Sequence, residues 1–166
     1  MVSVHEDELL AVGVDFKTEF ISAAIYQDEK PVTVIIKQGK EPMMPAIAHY
    51  AKGERTKVGF ELTKKAHTGT VVNVIQNVKT VLGRPFSHKK VKDYINKYKQ
   101  VTIKDGDELS IPMPDECFFE LQLSQDAAPL QLMPAKVAGI LICEVKNRAK
   151  EFSNSGAAPT VAVVSR

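Results

Sequence analysis

The sequence has few cysteines and no arrangement of them that would staple a fold or hold a metal. Cys117 and Cys143 lie far apart, no CxxC occurs, and His5, His49, His67 and His88 are scattered, so buried thiols are expected rather than a zinc module or a disulfide framework. Charge of one sign is lacking too: 22 basic residues stand against 20 acidic ones, for a net charge of +2. No strong global field draws the chain to nucleic acid or an anionic membrane, no direct contact with DNA is expected, and its partners must be argued from local sites. No apolar run approaches the roughly 18 residues needed to span a membrane. The start, MVSVHEDELL, is acidic where a secretory signal is basic, which makes the cytoplasm the expected location. The absence of GxxxxGK[ST] excludes a P-loop. What remains is a 166-residue chain, long enough for one domain with a real core or for part of a larger one.

Strands and helices alternate along it. Leu9 to Asp15 is a short, nearly continuous apolar run, as in a strand buried on both faces. Phe20 to Tyr26 and Val32 to Lys37 are also β-rich, and the polar link Gln27-Asp28-Glu29-Lys30-Pro31 has the length of a hairpin. The expectation is a three-stranded meander with Lys17-Thr18-Glu19 in its first turn. The character changes after Pro42 and Pro45. Ala46 to Ala51 reads as a strand, Lys52 to Lys57 as a turn, and Gly59 to His67 as a short helix. Val71, Val74, Ile75, Val78 and Leu82 then fall at helical spacing, ended by Gly83 and Pro85, with Lys79 beside the stripe.

Val91, Tyr94, Ile95 and Tyr98 repeat that spacing, while Lys89, Lys90, Lys92, Lys97 and Lys99 fill the other face. This reads as a solvated surface helix, because amphipathic helices normally carry lysine outward, with an RNA-binding face as the alternative. Asp105-Gly106-Asp107 signals a hairpin between Gln100–Lys104 and Glu108–Ile111, and Cys117 to Leu123 is another strand. Pro134 suits the first turn of a long helix, with Val137, Ile140, Leu141 and Val145 as its buried stripe to about Phe152. Ser153 to Gly156 breaks it, and Thr160 to Val164 is a last apolar strand. A strand of that composition belongs inside a sheet. The expectation is therefore that the chain is a fragment, or that something outside it covers this strand.

The ordered stretches GVDFKTEFISAAIY and NVKTVLGRPF, with weaker support from PMMPAIAHY, KVGFELTKKA, MPAKVAGILICEVKNRAKEF and TVAVVSR, resemble the start of the nucleotide-binding domain of the DnaK-type heat shock protein 70 chaperones. The resemblance runs from about Leu10 to Val164. It implies an α/β chain with the actin-like ATPase fold, built on a ribonuclease H-like motif, of which the first lobe alone is present. Residues 1–40 and 133–166 would form its inner subdomain, an incomplete sheet, and residues 41–132 an inserted outer α+β subdomain. The implied activity is that of a chaperone ATPase in protein folding and the stress response, with ATP or ADP and magnesium as cofactors. The implied partners are the remainder of the nucleotide-binding domain and a peptide-binding domain.

The resemblance also assigns roles. Asp15 takes the place of the aspartate near the metal, which it would hold through water. Lys17, Thr18, Glu19 and Phe20 take the place of the turn whose backbone N–H groups meet the β- and γ-phosphates, Thr18 adding its hydroxyl. Lys79 takes the place of the catalytic lysine that stabilises charge on the transferring phosphoryl group. The family writes Asp-Leu-Gly-Thr-Thr, and here stands Asp15-Phe16-Lys17-Thr18-Glu19. Lys17 either donates to a phosphate or fills its space. Glu19, at ~4 Å from a phosphate charge and an effective dielectric near 20, would cost on the order of 4 kcal/mol per pair of unit charges. The family's later glutamate and aspartate, and the lobe that holds adenosine, fall beyond Arg166, so the chain alone is expected not to hydrolyse ATP.

Two functions follow. One is the N-terminal part of a chaperone ATPase. The other is a divergent, non-hydrolysing relative that acts as a regulatory or ribosome-associated co-chaperone. A sugar kinase on the same fold fits less well, because the Lys79 segment and its Gly83-Arg84 end follow the chaperone branch. Read from the residues alone, Asp15 is a turn-former, Lys17 and Glu19 a solvated pair and Lys79 a surface lysine.

Overall fold

The structure, a computed structural model, describes residues 11–27, 30–34, 42–60, 62, 72–109, 113, 116–153 and 161–165, with backbone alone at 27 and 161–165. These divide into two compact units, Met1–Met44 with Ile142–Arg166, and Pro45–Leu141.

The first unit is built on one sheet in the order β11-β1-β2-β3. Strands β1 (Ala11–Phe16), β2 (Phe20–Gln27) and β3 (Lys30–Thr33) form the expected antiparallel meander. Strand alternation decides its faces. Val12, Val14 and Phe16 of β1 and Ile21, Ala23 and Ile25 of β2 are buried, which turns Gly13, Asp15, Ser22 and Ala24 to the opposite face. The β1 run is thus buried on one face rather than two. Pro31 lies in β3, an outer strand, where its missing N–H removes no ladder bond. Strand β4 (Met43–Pro45) also pairs with β2. The last strand, β11 (Val161–Ser165), lies parallel to β1, with Ala11 opposite Val161 and Asp15 opposite Ser165. Leu9, Leu10, residues 35–37 and Thr160 lie outside the described residues.

The second unit holds two three-stranded sheets. In one, β5 (Ile47–His49) sits between β6 (Lys57–Val58) and β7 (Val74–Gln76). In the other, β9 (Cys117–Leu121) sits between β8 (Thr102–Asp105) and β10 (Leu130–Leu132). Phe118 and Phe119 are adjacent in sequence and both buried, so β9 is covered on both faces. Each such ring contributes about 1.5–3 kcal/mol.

Helix α1 (Lys89–Lys97) follows the predicted pattern. The His88 ring caps it by accepting the Lys90 N–H, and Val91 and Tyr94 are its buried residues. The Tyr94 ring stands 4.5 Å from that of Tyr98 and 6.1 Å from that of Phe119, and its hydroxyl donates to the Gln76 carbonyl at 2.6 Å. Helix α2 (Pro134–Phe152) begins at its proline as expected. Val137 and Leu141 are buried in its first half, Val145 and Ala149 in its second.

Two expectations are corrected. The stretch read as a helix from Val71 to Leu82 is strand β7 followed by a 3-10 turn at Val78–Thr80, Val71 being outside the described residues. Asn73 and Asn77 cause this. Both adopt left-handed backbone, with φ of 59° and 56°, a conformation asparagine tolerates better than other side chains, and they bracket β7. The apolar spacing survives because Val74, Ile75, Val78 and Val81 are buried all the same. The Asp105-Gly106-Asp107 signal does not make a tight hairpin either. Gly106–Glu108 is a 3-10 turn, and the strand that pairs with β8 is β9, with Asp105 opposite Cys117. Residues 110–112 lie outside the described ones. Of the short helix read over Gly59–His67, Phe60 and Leu62 are helical and the rest from residue 63 on is not described.

A Cβ at Gly106 would meet the Met113 carbonyl oxygen far inside van der Waals contact, with the Glu116 carbonyl oxygen at 3.0 Å. Gly106→Ala is therefore expected to lower unfolding stability by about 1–3 kcal/mol in urea titration, the cost of overpacking against backbone. Burial pushes the Cys117 thiol up to about 11, helped by Glu116 and Asp105, pushes Tyr50 up to about 12, and raises Tyr94 as well. The folded state thus keeps protons that the unfolded state releases above ordinary values. Their stabilisation is complete below about pH 9 and declines as pH climbs to 11 and beyond. The urea midpoint should fall over that window. Iodoacetamide at pH 8 should label the exposed Cys143 well before the buried Cys117.

Candidate functional site

Phe16 pairs with Ile21, and the Lys17 N–H donates to the Phe20 carbonyl at 3.0 Å. The β1–β2 connection is therefore a two-residue hairpin with Thr18 and Glu19 at its exposed tip. Outside glycine, positive φ occurs among the described residues at Asn73 and Asn77 only. Lys17, Thr18 and Glu19 all have negative φ, so this is neither of the primed turns that favour glycine. The lysine at 17 is accommodated without backbone strain.

Alternation along β1 sets what Lys17 does. Residues two apart share a face, so Lys17 lies on the side of Asp15, and its Nζ is 3.0 Å from Asp15 Oδ2. Their side chains are 64% and 43% exposed, so the pair contributes only ~0–1 kcal/mol to stability. Its meaning is chemical: an ammonium stands against the Asp15 carboxylate. Asp15 sits at the carboxyl end of β1, level with Ser22 of β2 and with the backbone of Ser165 at the end of the parallel β11. The carboxyl ends of parallel strands are where ligands enter open α/β sheets. Five of the six predicted residues, Asp15, Lys17, Thr18, Glu19 and Phe20, are thus gathered at one hairpin. Phe20 is 40% exposed.

Magnesium is a poor fit to this arrangement. It needs carboxylate oxygens available to its water shell. Here Asp15 is bonded to Lys17, and Glu19 is at the exposed tip. Among the described residues no group of three histidine, cysteine, aspartate or glutamate side chains is placed to hold a metal ion.

Lys79 belongs to the second unit and occupies the middle of the 3-10 turn Val78–Thr80, half-buried. A clamp holds that turn. The Thr80 N–H donates to the Asn77 carbonyl at 3.0 Å, and the Val81 N–H to the Val78 carbonyl at 3.0 Å. Gly83 leaves the turn with φ +63°. Arg84 Nε reaches back to the Thr80 carbonyl at 2.9 Å, and Asn77 Nδ2 donates to the Tyr98 hydroxyl at 2.6 Å. Sequence reasoning found Lys79, Gly83 and Arg84 but missed Asn77 and Tyr98. The signal available for them was the asparagine pair flanking Val74–Gln76.

Residues 11–165 match a family model described as Hsp70 protein. No curated protein matches the chain significantly.

Asn77→Ala removes the hydrogen bond to Tyr98 and puts into left-handed backbone a residue that tolerates it less well than asparagine. The expected loss is about 1–3 kcal/mol by urea denaturation, whereas Asn77→Gly, which relieves the backbone cost, should lose less.

Proposed function

Because the chain belongs to the Hsp70 family, chaperones that bind ATP or ADP with magnesium on an actin-like ATPase fold, we propose that it forms part of the first lobe of such a nucleotide-binding domain, with a phosphate turn whose grip has been loosened. The inner subdomain comprises residues 1–40 and 133–166, and residues 41–132 are an outer insertion. The division of the chain near Met44 and near Leu141 supports this. Its role is that of a divergent, non-hydrolysing relative, acting as a regulatory or ribosome-associated co-chaperone. In the family's plan the remainder of the ATPase domain and a peptide-binding domain are its companions.

The observation that carries this reading is the ion pair between Lys17 and Asp15. An incoming magnesium-nucleotide would have to break that pair, and its phosphates would meet Glu19 at the tip. At an effective dielectric near 20 each close like-charge contact costs on the order of 4 kcal/mol, which removes most of an ordinary affinity.

A second reading, an ATP-hydrolysing domain in which Lys17 turns from Asp15 to a phosphate, is favoured by the clamped turn under Lys79. A lysine held there would stabilise charge on a transferring phosphoryl group. Calorimetric titration with magnesium-ATP separates the two. Weak binding and no steady turnover are expected of the protein, and Lys17→Gly with Glu19→Thr should tighten binding at least tenfold while moving stability by no more than ~1 kcal/mol. Steady hydrolysis that is lost in Lys79→Ala would instead establish the second reading.

A further inference from the structure

Among the described residues, several ion-paired basic side chains have their carboxylate close by in sequence. Lys17 has Asp15, Lys57 has Glu54, Lys104 has Glu108, and Arg148 has Glu144 and Glu151. Helix α1 is different. Five lysines stand against one aspartate between residues 89 and 99, although the whole chain nets only +2. No salt bridge joins Lys89, Lys90, Lys92, Lys97 or Lys99 to a carboxylate among the described residues. All five are exposed, and so is Asp93. The helix and the residues just after it therefore carry a net positive face, on which Asp93 is the one carboxylate.

We propose that this face of α1 docks on the phosphate backbone of an RNA duplex. Charge is the first argument: closely spaced lysines displace the counterions condensed on a polyphosphate. The other residues of the face then choose among polyanions. A membrane-surface helix needs a free apolar face, and here that face is occupied, since Val91 and Tyr94 are buried. Single strands are gripped by exposed aromatic rings that stack on bases. Tyr94 and Tyr98 are only 2% and 7% exposed, and the Phe86 ring lies under the Lys92 ammonium, 3.5 Å from its centroid. Readers of the DNA major groove insert a helix with arginine, asparagine or glutamine aimed at base edges. The exposed side chains of α1 are lysines, Asp93 and Asn96, with no arginine and no glutamine. With Asn96 the one exposed amide among lysines, base-reading groups are sparse, and point charges of this kind suit a duplex recognised by shape and phosphate position. That is how A-form RNA, whose deep and narrow major groove side chains cannot read, is bound. The helix spans about 13 Å, enough to set its terminal lysines on separate phosphates.

The experiment is fluorescence anisotropy of the protein with a labelled RNA duplex of about 20 base pairs, between about 50 and 200 mM salt. Saturable binding with a steep salt dependence is expected. Lys89→Gln, Lys92→Gln and Lys97→Gln together should weaken it at least tenfold and flatten the log–log salt slope by about two to three. The same three positions changed to arginine should retain binding within about threefold. Lys136→Gln, Lys146→Gln and Lys150→Gln remove equal charge from exposed positions on α2 and should leave binding unchanged. The proposal is overturned if the protein fails to bind the duplex, if the α2 triple weakens binding as much as the α1 triple, or if the arginine triple loses it. It is equally overturned if duplex DNA, single-stranded RNA, polyglutamate or phosphatidylserine vesicles compete as well as the RNA duplex does.

Discussion

Strand β1 is hydrogen-bonded along both edges, to β2 immediately after it and to β11 at the far end of the chain. The first pairing is local. The second closes a loop that contains the whole of Pro45–Leu141. Such closure costs little more for a long loop than for a moderate one, roughly 0.6 kcal/mol per doubling of length. A segment with its own core can therefore lie between β4 and β11 at small thermodynamic expense. The kinetic consequence is larger, because non-local parallel pairing forms late. What offsets the closure is burial: Val12, Val14 and Phe16 lie beside Ile21, Ala23 and Ile25 on the one covered face.

The same strand determines the chemistry at its end. With Val12, Val14 and Phe16 directed inward, parity leaves Asp15 and Lys17 together on the other face. A lysine at position 17 falls within reach of the aspartate without any special loop geometry. The turn's formal charge is −1 whether it reads Asp15 with Lys17 and Glu19 or Asp with Gly and Thr as in the family's motif. Only the distribution differs. In this chain the positive charge is spent on Asp15 and the negative charge is left at the exposed tip.

Much of this was legible in the residues. The meander and β11 were found as short apolar or β-rich runs bounded by polar segments, and α1 and α2 as stripes of period 3.6 that run for several residues, as in Val91–Tyr98. The stretch from Val74 to Val81 failed that test. A three-residue strand followed by one 3-10 turn buries the same positions as a helix, so periodicity cannot separate them. The asparagines at 73 and 77 were the distinguishing residues, and they act through backbone conformation rather than hydrophobicity. Strand β10, three residues long, carries too short a pattern to register. At the site, the hairpin was legible as a short polar break between two β-rich runs, whereas the candidate residues on it came from the resemblance. The ion pair followed from strand parity, once the buried face of β1 was known. The clamp on Lys79 joins Asn77 to Tyr98, a pairing set by tertiary packing that no local pattern encodes.

The distribution of positive charge connects the two halves of this account. Lys17 is held by Asp15, whereas the lysines of α1 face solvent without carboxylates, and the two sets belong to different compact units. An anion arriving at the hairpin must displace an existing partner before it gains anything, so its binding is discounted by the pair it breaks. An anion arriving at α1 breaks no ion pair among the described residues and releases counterions, which is itself favourable. A chain built this way directs its electrostatic attraction to α1 rather than to the β1–β2 turn. It follows that raising ionic strength would weaken contacts at α1 steeply, while leaving the Lys17–Asp15 pair, already worth little, almost without effect on the fold.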